Sequence, residues 1–217
     1  MSYNVRSAFR ARAGRLGLKK RLPAAAGWLV VLSLALASAP RAWAQQGPEK
    51  GGHEIQFWSG GGPSRSGGVR DIGVWNAGFR YGWILTEARG PSFLRGRLEY
   101  AVDAVPIFWF FQPGGTAFGA GLSPLALKWN FDAGSRVVPY FEAGAGVVFT
   151  SRDVPPGASR VNFTSGGAVG AHLLRASRNF SAEIRYMHIS NAGLTTYNPG
   201  INTLQVRIGI GLFNPSR

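Results

Sequence analysis

His188, Ser190 and Asn202 are the residues of this chain whose types and spacing could do covalent chemistry. A serine hydroxyl is a weak nucleophile until a base takes its proton. His188 and Ser190 are two residues apart, which on a strand means the same face, with backbones about 7 Å apart. Two side chains can close that gap to a hydrogen bond. Asn202 opens the next strand-like run, where its carbonyl oxygen could hold the imidazole, the role Asn plays in Cys-His-Asn enzymes. Asn191, or the backbone N–H of Gly193, could donate to the oxyanion that forms during acyl transfer. Taken alone, an H-x-S triplet is weak, because a His and a Ser beside a loop are ordinarily interfacial polar groups.

The elements around these residues read as a hairpin. Phe180, Ala182, Ile184 and Tyr186 alternate with Ser181, Glu183, Arg185 and Met187, the period-2 signature of a strand with two unlike faces. Leu204, Val206, Ile208, Ile210 and Leu212 alternate in the same way with Gln205, Arg207, Gly209 and Gly211. Continued into the intervening loop, the apolar parity takes in His188 and Ser190 on one strand and Asn202 on the other. Three polar groups thus gather at one end of an apolar face.

The charge of the whole chain is dominated by its first residues. Arg6, Arg10, Arg12, Arg15, Lys19, Lys20 and Arg21 form a basic region, Ala24–Ala39 an apolar core, and Ala42-Trp43-Ala44 an A-x-A cleavage site before Gln45. Residues 1–44 are expected to be a cleaved signal peptide, the core being short for a membrane anchor. That leader holds eight Lys/Arg and no acid, so the formal charge of +14 falls to +6 beyond it. A nucleic-acid partner loses its main support with that fall. The chain has no cysteine, which removes disulfides and thiol chemistry.

Residues 45–52 read as a flexible lead-in, and 53–217 as one all-β domain. Strand-like runs fall near His53–Gly60, Val69–Leu85, Phe93–Asp103, Phe118–Phe131, Val137–Ser151, Arg160–Leu174, Phe180–Ile189 and Asn202–Phe213. Alternation alone allows a soluble sandwich or lipocalin as well as a membrane barrel. Strand lengths near ten, aromatics near strand ends and a small, Gly-rich opposite face with paired charges favour the membrane barrel. Eight antiparallel strands, an even number, can close without an edge, as a bilayer requires. With the N-terminus periplasmic, Phe131–Arg136 and Arg175–Asn179 are short periplasmic turns. Asp103–Ala117, Ser151–Ser159 and Asn191–Ile201 become outer loops, and the hairpin tip sits at the cell surface with His188 and Ser190 facing lipid. Phe213 has inward parity, unlike the usual outward last aromatic.

His188-Ile-Ser190-Asn191-Ala192-Gly193-Leu194, followed by Asn198-Pro-Gly200, resembles the signature of the outer-membrane lipid A 3-O-deacylases, the PagL or acyloxyacyl hydrolase family. Pro139-Tyr-Phe-Glu142-Ala-Gly144-Ala-Gly146-Val and Val161-Asn162-Phe163 resemble two of that family's strands. The resemblance implies an eight-stranded antiparallel transmembrane β-barrel in the bacterial outer membrane, acting on lipid A or lipopolysaccharide without metal or cofactor. By motif position it makes Ser190 the nucleophile, His188 the base and Asn191 an oxyanion donor. The family's best-known members carry Glu at the position matching Asn202, which leaves the strength of His activation open.

Other features have a functional and a bland reading. Val105–Phe111 could line an acyl-chain groove or form an interfacial aromatic belt. Arg65, Arg70, Arg152 and Arg160 could grip lipid A phosphates or be solvated loop charges, with Arg152 and Arg160 taken as the substrate-binding candidates. Glu142 reads as an interior salt-bridge partner, and His53 and His172 as structural, lacking metal-ligand spacing. The expected function is hydrolysis of the ester-linked acyl chain at the 3-position of lipid A. The rival is a non-enzymatic small outer-membrane barrel with a surface-interaction role; a porin is disfavoured because eight strands leave a filled interior. A homodimer is compatible with the sequence.

Overall fold

The computed structural model describes residues 47–175 and 178–215, and the expected signal peptide lies outside them. Eight strands follow in order: β1 (His53–Arg65), β2 (Gly73–Ile84), β3 (Gly96–Phe111), β4 (Ala117–Phe131), β5 (Val137–Thr150), β6 (Val161–Arg175), β7 (Arg178–Ser190) and β8 (Ile201–Asn214). Each pairs antiparallel with its neighbours, and β8 returns to β1, closing the barrel. Closure satisfies every edge, so the backbone can stand in a medium that offers no hydrogen bonds. Over its described residues, the lead-in is a turn tied to the end of β2, with Gly51 N donating to Ile84 O and Ile84 N to Gly52 O.

The two faces of each strand separate as the alternation predicts. Phe79, Phe141, Ile184, Val206 and Ile208 are exposed on the outer wall. Glu54, Arg80, Glu99, Lys128, Glu142 and Arg185 are buried inside. Buried charges survive only when paired and hydrogen-bonded, and here they are. Arg80 grips both oxygens of Asp103 at 2.8 Å and reaches Glu142 at 2.5 Å. Arg185 bridges Glu142 and Glu183, at 2.5 and 2.8 Å. Toward the end of the barrel where β1 begins, Lys128 lies 2.5 Å from Glu54 and 3.2 Å from Glu99. Lys128 and Glu142 are strand neighbours, yet their charged ends turn to different partners. His172 accepts a structural role, its Nδ1 2.9 Å from Asn179 Oδ1, with Phe213 packed edge-on against its ring inside the barrel.

The outer-loop half of the interior is apolar instead. Trp58, Val74, Phe108, Phe110, Val148, Met187, Ile189 and Ile201 form one cluster, joined from the loops by Ile72 and Val154. Phe108 and Phe110 enter it because β3 slips register by one residue between Val105 and Phe108. Trp109 and Phe111 alternate with them on the outer face, where Trp109 meets Trp75 and Phe118. The segment Val105–Phe111 is therefore strand rather than outer loop, and it splits between interior plug and exterior aromatics. The outer loop after it shrinks to residues 112–116.

Other boundaries shift as well. β1 continues past Gly60 to Arg65, and β2 begins at Gly73, so residues 66–72 form a further outer loop. The turn between β2 and β3 is not short: it spans 85–95 and includes a 3-10 turn at Ser92–Leu94 with Phe93 exposed.

Candidate active site

The site lies where β7 ends and β8 begins, on the outer wall. Met187 and Ile189 point into the apolar plug, so His188 and Ser190, between and after them, must point outward. His188 is the direct antiparallel partner of Asn202, and Ser190 of Phe163 on β6. The His188 Nδ1 sits 2.7 Å from Asn202 Oδ1. The Tyr186 hydroxyl donates to the same oxygen over 2.8 Å, and Asn202 Nδ2 faces the Ser66 carbonyl at 3.4 Å. Two donors on one side and an acceptor on the other fix which way the amide points. The Asn oxygen can only accept, so Nδ1 is the ring nitrogen that donates to it. Neither Nε2 nor the Ser190 hydroxyl is engaged by another described residue. A base–nucleophile hydrogen bond commonly tightens only with substrate in place.

Bare backbone walls this arrangement. Gly200 has φ +67°, and a Cβ there would lie 2.9 Å from His188 Cε1. A Cβ on Gly67, φ +93°, would lie 2.8 Å from Asn202 Nδ2. Both positions favour glycine twice over, for the left-handed backbone and for the space left to the ring and the amide.

Asn191 is buried and organises the loop. Its amide donates to Thr195 Oγ1 (2.7 Å) and to Tyr197 O (3.0 Å), and its Oδ1 accepts from Gly193 N at 2.9 Å. Its own N–H donates to Asn198 Oδ1. Both oxyanion candidates thus sit within three residues after Ser190, with their donors committed within the loop. Of the cations, Arg160 stands three residues before Phe163 and lies 3.6 Å from Asp153, while Arg152 donates to the Gly114 carbonyl of the loop between β3 and β4. Arg65, by contrast, is the direct β1 partner of Asn202.

A family model described as lipid A 3-O-deacylase (PagL) matches residues 74–211, spanning β2 to β8 and every residue of the His188–Ser190–Asn202 group. The chain belongs to the lipid A 3-O-deacylase (PagL) family. It is accordingly an outer-membrane β-barrel of an ester-hydrolysing, lipid A-deacylating family. Among solved structures it is similar to that of the outer membrane enzyme PagL, at 24% identity and TM-score 0.51, covering 71% of this chain and 97% of that one. It is also similar to outer membrane protein OprG from Pseudomonas aeruginosa (13%, TM-score 0.51, 78% and 98%). Neisserial surface protein A is a third (16%, TM-score 0.51, 75% and 99%). Identities of this size speak to the shared barrel. No curated protein sequence matches the chain.

Sequence reasoning passed over Tyr186 and Ser66. Tyr186 carried a usable signal, being two residues before His188 and therefore on the same face. Ser66 carried none, because its carbonyl reaches Asn202 only through the closing pair of strands.

Proposed function

We propose that this family member is a serine esterase that removes the ester-linked 3-hydroxyacyl chain from the glucosamine 3-position of lipid A in the outer leaflet. The observation that carries the reading is the 2.7 Å contact between His188 Nδ1 and Asn202 Oδ1, on the lipid-facing side and two residues from Ser190. With Nδ1–H held by Asn202, Nε2 takes the Ser190 proton as Oγ attacks the ester carbon. The sugar 3-oxygen leaves with the proton from Nε2, giving an acyl-enzyme and a free sugar hydroxyl. Water then attacks the acyl-enzyme, again losing its proton to Nε2, and the 3-hydroxy fatty acid departs as Ser190 is reprotonated.

Oxyanion stabilisation falls to Asn191 and Gly193 in this reading. The developing charge would replace the Thr195 hydroxyl as acceptor for the Asn191 amide, a stronger partner for the same donor. Arg152 and Arg160, both in the loop between β5 and β6, are the substrate-binding cations in this reading. Asn202 orients the imidazole but brings no charge to the imidazolium, so Tyr186, bonded to its oxygen, and the Ser66 carbonyl, facing its Nδ2, matter by holding the amide in place.

Mass spectrometry of lipid A from cells with and without the protein tests the proposal. Loss of one 3-hydroxyacyl mass is expected with the wild type and not with Ser190→Ala. Unaltered lipid A in the presence of folded wild-type protein would favour a non-enzymatic surface barrel.

A further inference from the structure

We infer that Arg65 and Arg70 form a seat for a phosphomonoester of the glycolipid headgroup, placed beside the reactive row; the inference rests on the lipid A reading above. Strand register supplies the placement. Arg65 on β1 is the antiparallel partner of Asn202 on β8, which is in turn the partner of His188 on β7. The three therefore form one lateral row across adjacent strands, Arg65 following the outward parity of β1 and the other two facing the outer wall. Ser190 lies one outward position further along β7. A sugar whose ester reaches Ser190 thus has Arg65 on the far side of Asn202, two strands away.

The loop that follows Arg65 is held rather than loose. Val69 N donates to Gly200 O at 2.9 Å, Ser64 N to Ile72 O at 2.8 Å, and Ile72 N to the Ser64 hydroxyl at 3.2 Å. Ile72 is buried in the apolar plug. The loop is thereby fixed to the same backbone that delivers Asn202. With strand end it lines an open cavity of about 540 Å³, whose walls include Arg65, Ser66, Arg70 and Asp71.

Arg65 and Arg70 are both exposed, and neither has an ion-pair or hydrogen-bond partner among the described residues. Asp71 shares the cavity but pairs with neither, so a positive excess remains. The other loop cations near the site are engaged: Arg152 with the Gly114 carbonyl and Arg160 with Asp153. Arg80, Arg185 and Arg207 are spent inside the barrel. Guanidinium groups bind phosphate through paired N–H donors, and the lipid A reading puts the headgroups at these strand ends. A phosphate on the sugar that carries the scissile ester meets this chemistry.

The test uses the full barrel reconstituted in nanodiscs, in a Ser190→Ala background that leaves the bound glycolipid uncleaved. Affinity is measured for lipid A and for the same lipid A freed of phosphate by a phosphatase. The background protein is expected to prefer the phosphorylated lipid, and Arg65→Gln with Arg70→Gln to reduce that preference about 10-fold or more. Arg65→Lys should retain part of it, since a point charge replaces the paired donors. Excess phosphatidylglycerol should not displace the lipid A. Equal affinity of the background protein for the two lipids, a preference untouched by the double substitution, or displacement by phosphatidylglycerol would overturn the seat. Binding is read apart from hydrolysis, so a barrel that shows the expected preference but cleaves no ester supports the seat while refuting the esterase.

Discussion

The Tyr186 hydroxyl and the His188 ring share one acceptor, Asn202 Oδ1, at 2.8 and 2.7 Å. Tyr186 thus touches no reacting atom in the proposed chemistry, yet it restrains the group that orients the base. Replacing it with Phe removes one hydrogen bond of ordinary net strength, about 0.5–1.5 kcal/mol. Tyr186→Phe is expected to lower kcat several-fold with little change in KM, measured on purified lipid A. A change confined to KM would make Tyr186 a substrate contact instead.

Asn202→Ala is expected to cost less activity than Ser190→Ala, because nucleophile and base both remain. Asn202→Glu is expected to retain or raise activity near neutral pH. The glutamate would accept from both Tyr186 and His188 and add the charge that an imidazolium prefers. Deacylation rates of the two variants decide the matter. An inactive but correctly folded Asn202→Glu would remove Asn202 as the partner of His188.

Ser190→Ala and His188→Ala should each abolish deacylation while leaving a folded, heat-modifiable barrel, since both side chains face outward. The double variant should be scarcely worse than either single one, as groups acting as a unit are non-additive. Turnover by Ser190→Ala at the wild-type rate would eliminate the serine mechanism.

Stability should be governed elsewhere. Lys128 is fully buried between Glu54 and Glu99. Lys128→Met would leave two carboxylates facing each other without a cation, a loss expected to cost about 3–5 kcal/mol. Urea unfolding in lipid vesicles reads this as a lowered midpoint. An unchanged midpoint would mean the interior relaxes by taking up protons or water.

The orientation of the barrel can be checked on intact cells. A protease site inserted between Ser151 and Ser159 is expected to be cut from outside, and one in the β2–β3 turn near Phe93 is not. The opposite pattern would invert the barrel and take the site away from the outer leaflet.

Alternation along β7 and β8 was enough to place His188, Ser190 and Asn202 on one outward face, because a strand obeys a two-residue rule wherever its ladder is regular. In β3 the strand was read only as far as Asp103, and one bulge between Val105 and Phe108 reverses the parity of all that follows. Phe108 and Phe110 then become plug residues, which no local pattern marks. The partners of Lys128 were equally hidden. Its strand neighbour Glu142 was visible, but its ion pairs with Glu54 and Glu99 depend on which strands face each other across the lumen. Arg65 comes beside Asn202 only when β8 meets β1, a contact between residues 137 positions apart in the sequence.

In the proposed reaction His188 and Ser190 act from the outer wall while side chains fill the lumen, so neither substrate nor product passes through the protein. Both arrive and leave by sliding sideways within a two-dimensional fluid. The concentration that matters is then molecules per unit of membrane area, and encounter depends on how freely lipid A moves within its leaflet. Divalent cations that cross-link neighbouring lipid A molecules would slow the enzyme without touching it.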